Sequence, residues 1–232
     1  MTTLSVKSVA KQFGNLVALD GVSIEVSEKQ MYGLIGPNGS GKTTLLNVIS
    51  GVLKPDGGDI FLAGVSIKGK TSHNIARLGL ARTFQTPRVF QHLSVLENLT
   101  VVQHEGGDAH EARELLSEFG LKSEMDKPAE NLGYGEKKQL DLARALILKP
   151  SIIMLDEPMA GLDFPMIKTM SGYIEKLCRS YGKTVIIVEH HLEELMSLSD
   201  HIFVFDHGKK IEEGPPETIR DSKAVHLAYF GR

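Results

Sequence analysis

The chain has 232 residues, 41% hydrophobic and 24% charged, with a formal net charge of -3. That length holds one large α/β domain or two small ones, and the ordinary mix of apolar and charged residues excludes a disordered or fibrous protein. The slightly acidic balance offers no basic field to hold nucleic acid by counterion release, and the single cysteine, Cys178, has no partner for an internal disulfide, which suits a reducing compartment.

The first residues, Met1-Thr2-Thr3-Leu4-Ser5-Val6-Lys7, lack the charged-then-apolar pattern of a signal peptide. Residues 5–9, 22–26 and 60–65 are short β-rich runs that read as strands, with the period-two alternation clearest in Val22-Ser23-Ile24-Glu25-Val26, and their spacing predicts an antiparallel layer. Residues 32–35 form a further strand that runs into a Gly-rich turn and a helix from 42 to about 49. From about 85 to 148 the pattern is helical, with helices expected over 95–102, 109–119 and 136–148. Two unbroken apolar runs, 152–155 and 184–188, read as central strands buried on both faces. A helix over 166–180 separates them and contains Cys178 as a small buried side chain. Residues 202–205 and 209–213 read as a hairpin joined through Asp206-His207-Gly208, with Gly208 supplying the turn. Gly214-Pro215-Pro216 ends it, and a short helical tail follows, closing on Ala228-Tyr229-Phe230-Gly231. No apolar run approaches the ~18 residues a membrane span needs. The chain is therefore expected to be soluble by itself and to reach a membrane only through a partner. Strands alternating with helices predict one α/β domain over 1–232, with a helical subdomain inserted at about 86–148.

Gly36-Pro37-Asn38-Gly39-Ser40-Gly41-Lys42-Thr43 satisfies G-x-x-x-x-G-K-[ST] and lies between a strand and a helix, with Thr44 next. Glycines let successive N–H groups curl around phosphates, and the helix that follows adds its positive end. Lys42 supplies a mobile cation for the phosphate oxygens, and the Thr43 hydroxyl is placed to ligate Mg²⁺. A nucleotide site also needs a carboxylate for the metal and a base for water. The buried run 152–155 ends in Asp156 and Glu157, two acids that are costly there without a cation or a proton-transfer task. Asp156 is the expected metal partner and Glu157 the expected base.

The remaining motifs narrow the family. Leu132-Gly133-Tyr134-Gly135-Glu136 and the basic helix after it resemble the signature of ATP-binding-cassette (ABC) proteins. Gln85 after Thr83-Phe84 resembles that family's Q-loop, Ala160-Gly161-Leu162-Asp163 its D-loop, and Glu189-His190 its switch histidine. Phe13 resembles the aromatic that stacks on adenine. These motifs run in family order from residue 13 to 190 and, with the closing hairpin, cover essentially the whole chain.

The resemblance implies a P-loop NTPase (RecA-like) core with an N-terminal antiparallel β layer and a helical subdomain. It implies ATP and Mg²⁺ as ligands, with Thr43, Gln85 and Asp156 around the metal and Glu157, His190, Lys42 and Gln85 in catalysis. Phe13, residues 36–44, Gly133, Tyr134, Gly135, Glu136 and Asp163 would contact nucleotide. Two such subunits, identical or different, would pair head to tail, each P-loop facing the other's signature, on transmembrane permease subunits at the inner face of the cell membrane. One departure is plain: the family's signature Ser and Gly are replaced by Gly133 and Tyr134. Gly133 offers no hydroxyl, which leaves backbone N–H groups and a helix N-terminus for the anion. The Tyr in the signature, the acid before His190 and the compact tail look most like ATPase subunits of branched-chain amino-acid importers. Urea importers and lipopolysaccharide exporters use similar subunits. A soluble cassette protein of translation or DNA repair would carry a second cassette or a long coiled-coil insertion, and neither is in this sequence. A GTPase would carry an N/T-K-x-D motif, also missing. Side chains outside these motifs have ordinary readings: His92, His104 and His110 at the surface, His191 structural or exposed, and Lys137-Lys138 on a solvated helix face.

Overall fold

The computed structural model describes residues 2–103, 108–223, 225 and 227. It opens with two long strands, β1 (Thr2–Phe13) and β2 (Leu16–Ser27), then β3 (Met31–Ile35) and helix α1 (Lys42–Ile49). Next come β4 (Gly57–Leu62), β5 (Val65–Ser66), α2 (Ser72–Arg77) and β6 (Leu80–Arg82). Helices α3 (Val95–Thr100), α4 (Ala109–Glu118) and α5 (Tyr134–Ile147) follow, with two short 3₁₀ turns between α4 and α5. The chain continues through β7 (Ile152–Asp156), α6 (Phe164–Arg179), β8 (Thr184–Val188), α7 (Leu192–Leu198), β9 (His201–Asp206), β10 (Lys209–Gly214) and α8 (Pro216–Arg220). His104 and the terminal stretch 228–231 lie outside the described residues.

Strands that are apolar on both faces must be covered on both sides, and this requirement sets the layers. One sheet has the order β10-β9-β3-β8-β7-β6, parallel except for the β9–β10 hairpin. Successive residues of its central strands divide between two cores. Ile152, Met154, Ile186 and Val188 pack with α1 and the antiparallel sheet β2-β1-β4-β5. Ile153, Leu155, Val185 and Ile187 pack with the helices, including Leu140, Ile174 and Leu195. The fold is α/β with an antiparallel layer on one face and helices on the other, as the alternating pattern predicts.

Three differences from the sequence reading have local causes. The run 60–65 is a hairpin, because Ala63 (φ 47) and Gly64 (φ 78) turn the chain between β4 and β5. The short α2, β6 and α7 were not anticipated; each spans too few residues to display a period. Lys137 and Lys138 do not form a solvated face. Lys137 Nζ donates to Glu130 O at 2.9 Å, and Lys138 is only 5% exposed. Cys178 is buried as expected, and that burial raises its thiol pKa, Arg179 opposing it.

Segment 86–93 carries little regular structure, so its shape depends on side-chain bonds. Asn98, fully buried on α3, accepts from Phe90 N at 2.8 Å and donates to Phe90 O at 2.9 Å and Ser94 O at 3.0 Å. α3 itself starts with a reciprocal capping box between Ser94 and Glu97. Asn98→Ala strands the N–H and C=O of Phe90 and should lower the urea unfolding free energy by about 2 kcal/mol. An unchanged denaturation midpoint would mean that water replaces the amide without cost.

Candidate functional site

The turn between β3 and α1 approaches two neighbouring strands so closely that side chains are excluded. A Cβ at Gly36 (φ +148) would sit 2.1 Å from Phe205 O, and one at Gly41 (φ +104) 2.5 Å from Ala18 O. The loop is thereby seated on β9 and β2, and α1 starts from Gly41 with no side-chain cap on its N–H groups. An uncapped helix start in a Gly-rich turn is an anion cradle. Lys42, only 6% exposed, folds back over the loop, donating to Gly36 O at 2.8 Å and Pro37 O at 3.0 Å. Burial lowers its pKa, while Glu157 and Asp156 pull it back up.

Asp156 closes β7 at 4% exposure. Its Oδ2 accepts from Arg82 Nη2 at 2.8 Å, and the same guanidinium reaches Asn47 Oδ1 at 2.7 Å and Ser50 Oγ at 3.0 Å. Arg82 therefore ties β6, β7 and the C-terminal end of α1 together. Burial lowers its pKa, and the bond to Asp156 opposes that loss.

Glu157 leaves the strand with φ +50, a left-handed backbone rare for a side chain with a Cβ. Two bonds hold it there: its N–H donates to Val188 O at 2.9 Å, and its carbonyl accepts from Lys138 Nζ at 2.7 Å. The turn aims the carboxylate at two neighbours. Gln85 Nε2 donates to Oε2 at 2.6 Å, and His190 Nε2 lies 3.1 Å from Oε1. A carboxylate so held keeps lone pairs for a further donor such as water.

Phe13, Leu16, Ala18, residues 38–44, Glu157 and His190 line one cleft of about 220 Å³. Phe13 is 45% exposed at its rim, with Lys11 Nζ 5.4 Å from the ring, so it is no core aromatic. The structure thus gathers Phe13, Asn38, Gly39, Ser40, Gly41, Lys42, Thr43, Thr44, Glu157 and His190, with Gly36 and Pro37 reached through Lys42 and Gln85 through Glu157.

It does not bring the signature or Asp163 to this cleft. Gly133 precedes α5 and donates its N–H to Glu136 Oε2 at 2.7 Å; a glycine has no hydroxyl to return the bond. The Tyr134 hydroxyl donates to Gln85 O at 3.4 Å, and Gly135 lies within the first turn of α5. Asp163 caps α6, its Oδ1 accepting from Met166 N at 3.0 Å. Sequence reasoning missed Arg82, Lys138 and the buried Glu189. Lys138 could have been found, since it sits four residues before Leu142 and seven before Ala145 on the buried stripe of α5. His191, half-buried, is the N-cap residue of α7.

The family model described as ABC transporter matches residues 19–160. The high-affinity branched-chain amino acid transport ATP-binding protein BraF of Pseudomonas aeruginosa is 39% identical, over 98% of this chain and 97% of its own length. The corresponding protein LivG of Escherichia coli K12 is 36% identical, over 98% and 97%. Among solved structures, an ATP-binding cassette of an ABC transporter in its ADP conformation superposes with a TM-score of 0.91, at 32% identity, over 100% of both chains.

Arg82→Met keeps much of the apolar stem but leaves Asp156 buried without its cation. Breaking a buried pair from one side costs about 3–5 kcal/mol, which urea unfolding should register. A loss below about 1 kcal/mol, the range of exposed pairs, would show that Asp156 is solvated in solution.

Proposed function

The chain belongs to the ABC transporter family, and from that premise we propose that it is the ATP-hydrolysing subunit of an importer of branched-chain amino acids. The observation that carries this is the convergence of the Gly-rich loop, Lys42, Glu157 and His190 on one cleft. The names of the relatives at 36–39% identity support the cargo class.

Phe13 at the rim offers a face for adenine, and the loop N–H groups with the start of α1 hold the phosphates. Lys42 exchanges two loop carbonyls for phosphate oxygens, a more favourable partner for a buried ammonium. Thr43, Asp156 and Gln85 would supply oxygen donors of the kind Mg²⁺ takes. That ion, when bound, would neutralise charge on the phosphates. Glu157 accepts the proton of the attacking water, and His190 and Gln85 fix the direction of its carboxylate. Gly133, Tyr134, Gly135, Glu136 and Asp163 are not among the residues lining their own cleft, which supports their contacting a second subunit arranged head to tail. The cassette spans 1–232, with 86–148 as its helical subdomain.

Among the described residues no helix is long and apolar enough to cross a membrane. The work of hydrolysis is delivered to transmembrane permease subunits, with the chain peripheral on the inner face of the membrane. A largely apolar groove of about 240 Å³ between α2, β6 and α5 supports this reading. Leu80, Phe84, Val102 and Leu148 line it, and Asp141 and Arg144 supply polar anchors. Burial raises the Asp141 pKa to about 6 against the pull of Arg144. The exposed Phe90, beneath the Arg144 guanidinium at 4.9 Å, extends the surface beyond the groove. Val89 packs half-buried against the core, so a bulky residue there disturbs packing as well as the surface.

Lys42→Ala should lower ATP hydrolysis at least about 10²-fold, the usual loss for one aimed charge. Glu157→Gln should retain ATP binding, stop turnover and accumulate an ATP-dependent dimer in size-exclusion chromatography, whereas Asp156→Asn should weaken Mg²⁺-dependent binding. Normal turnover by the Gln variant would remove Glu157 as the base. Independently, Arg88→Glu and Phe90→Glu should leave basal ATPase activity nearly intact while releasing the chain from membranes that contain its permease. Continued flotation with those membranes would move the docking surface elsewhere.

A further inference from the structure

Glu189 immediately precedes His190 and is 1% exposed, yet the hydrolytic scheme gives it no task. A carboxylate in that position is costly unless each oxygen is bonded. Here both are. Oε1 accepts from Met159 N at 2.5 Å, and Oε2 accepts from His190 N at 3.0 Å. The two N–H groups belong to different segments. Met159 lies two residues beyond Glu157 in the turn that leaves β7, and His190 begins the loop that leaves β8. One side chain therefore joins the backbone of the segment carrying the base to the backbone of the segment carrying the histidine.

The geometry points to Glu189 as a positioning residue for hydrolysis: a carboxylate clasp that fixes the spacing between Glu157 and His190. This deepens the proposed function and rests on its assignment of those two side chains.

Three observations favour the clasp over an incidental buried acid. The parallel register pairs Asp156 with Val188, so the two strands end side by side, and Glu157 N bonds to Val188 O. Beyond that point the ladder stops, and the described bonds joining the two loops are the Glu189 clasp and the Glu157–His190 contact itself. Second, Glu157 has a left-handed backbone, a conformation that persists only where surrounding bonds over-determine it. Lys138 holds its carbonyl from the α5 side, and Glu189 holds the turn two residues later from the β8 side. Third, the two holding groups are opposite charges in one dry region. Burial lowers the Lys138 pKa, and Glu189 is the foremost charge opposing that loss. Burial raises the Glu189 pKa, and the N–H groups of Met159 and His190, followed by His191, oppose it in turn.

The clasp touches neither the phosphate loop nor Phe13. Loosening it should therefore change turnover without changing the hold on ATP. Glu189→Gln keeps the size but presents an NH₂ group to part of the ring of N–H donors formed by Met159, His190 and His191, so at least one bond is lost. Glu189→Asp keeps the charge and withdraws it by one methylene. In both variants kcat should fall about tenfold or more, as expected for slight misplacement of reacting groups. The dissociation constant for ATP, measured on each variant with hydrolysis blocked by omitting Mg²⁺, should stay within about twofold of the parent chain. Amide hydrogen exchange should accelerate at Met159 and His190 and remain unchanged in α1. Full turnover in either folded variant overturns the clasp. So does a loss of turnover matched by an equal loss of ATP affinity, which would mark a general structural role. A parent chain without ATPase activity would instead count against the function on which the clasp depends.

Discussion

The C-terminal end of β7 is where the fold meets its hardest electrostatic condition. Ile152, Ile153, Met154 and Leu155 are fully buried, and the strand then delivers Asp156 into the same low-dielectric region and Glu157, half-buried, to the wall of the cleft. Cations must come from elsewhere in the chain, and each comes from a different element. Arg82 arrives from β6, Lys42 from α1 and Lys138 from α5. The site is thus an intersection of elements that the sheet and helix packing must bring into register. A displaced helix here leaves a buried charge unpaired, a far larger penalty than a lost methyl contact. This is why the helical segment 86–148 cannot be regarded as a cover laid on the core: one of its lysines fixes the backbone of the proposed base.

The same condition explains how the cleft can prefer its ligand. Lys42 is bonded to two loop carbonyls, neutral acceptors that hold an ammonium less strongly than a charged oxygen does. Desolvation has already been imposed on Lys42 by folding, so a phosphate gains the interaction without paying that cost again. The left-handed turn at Glu157 works in the same direction. Its strain is borne by the Val188, Lys138 and Glu189 bonds, so the carboxylate is aimed before any substrate arrives. A site prepared in this way needs little rearrangement during the reaction.

What the sequence reveals and what it hides follow from one distinction. The phosphate loop, the two acids and the strands 152–155 and 184–188 are contiguous along the chain, so local chemistry suffices to read them. The layers follow as well, because strands apolar on both faces must be covered on both. The helper charges are not contiguous. Arg82 sits on a three-residue strand, and nothing near it in sequence announces Asp156, 74 positions away. Lys138 reads as solvated when grouped with Lys137, and only the helical period separates the two. Glu189 was visible as an acid beside a histidine, but its role depends on Met159, 30 residues earlier. The 60–65 run reads as one strand because its two turn residues, Ala63 and Gly64, carry no polar side chain to mark the break between Leu62 and Val65.

Helix α5 carries this logic across the molecule. It begins at Gly133, Tyr134 and Gly135, which do not line their own cleft, while Lys138, about one turn further along at ~1.5 Å per residue, grips the Glu157 carbonyl. Tyr134 also reaches the Gln85 carbonyl, and the Gln85 amide reaches the Glu157 carboxylate. In a head-to-tail pair, a phosphate bound by one subunit would press on the helix start of the other. That helix would carry the displacement to the second subunit's base through two short connections, one to its backbone and one to its side chain. The glycine at 133 suits this arrangement. Gly133 has no hydroxyl and its own N–H is donated to Glu136 Oε2, so under the proposed pairing the donors left for a phosphate would be the backbone N–H groups of the first turn of α5.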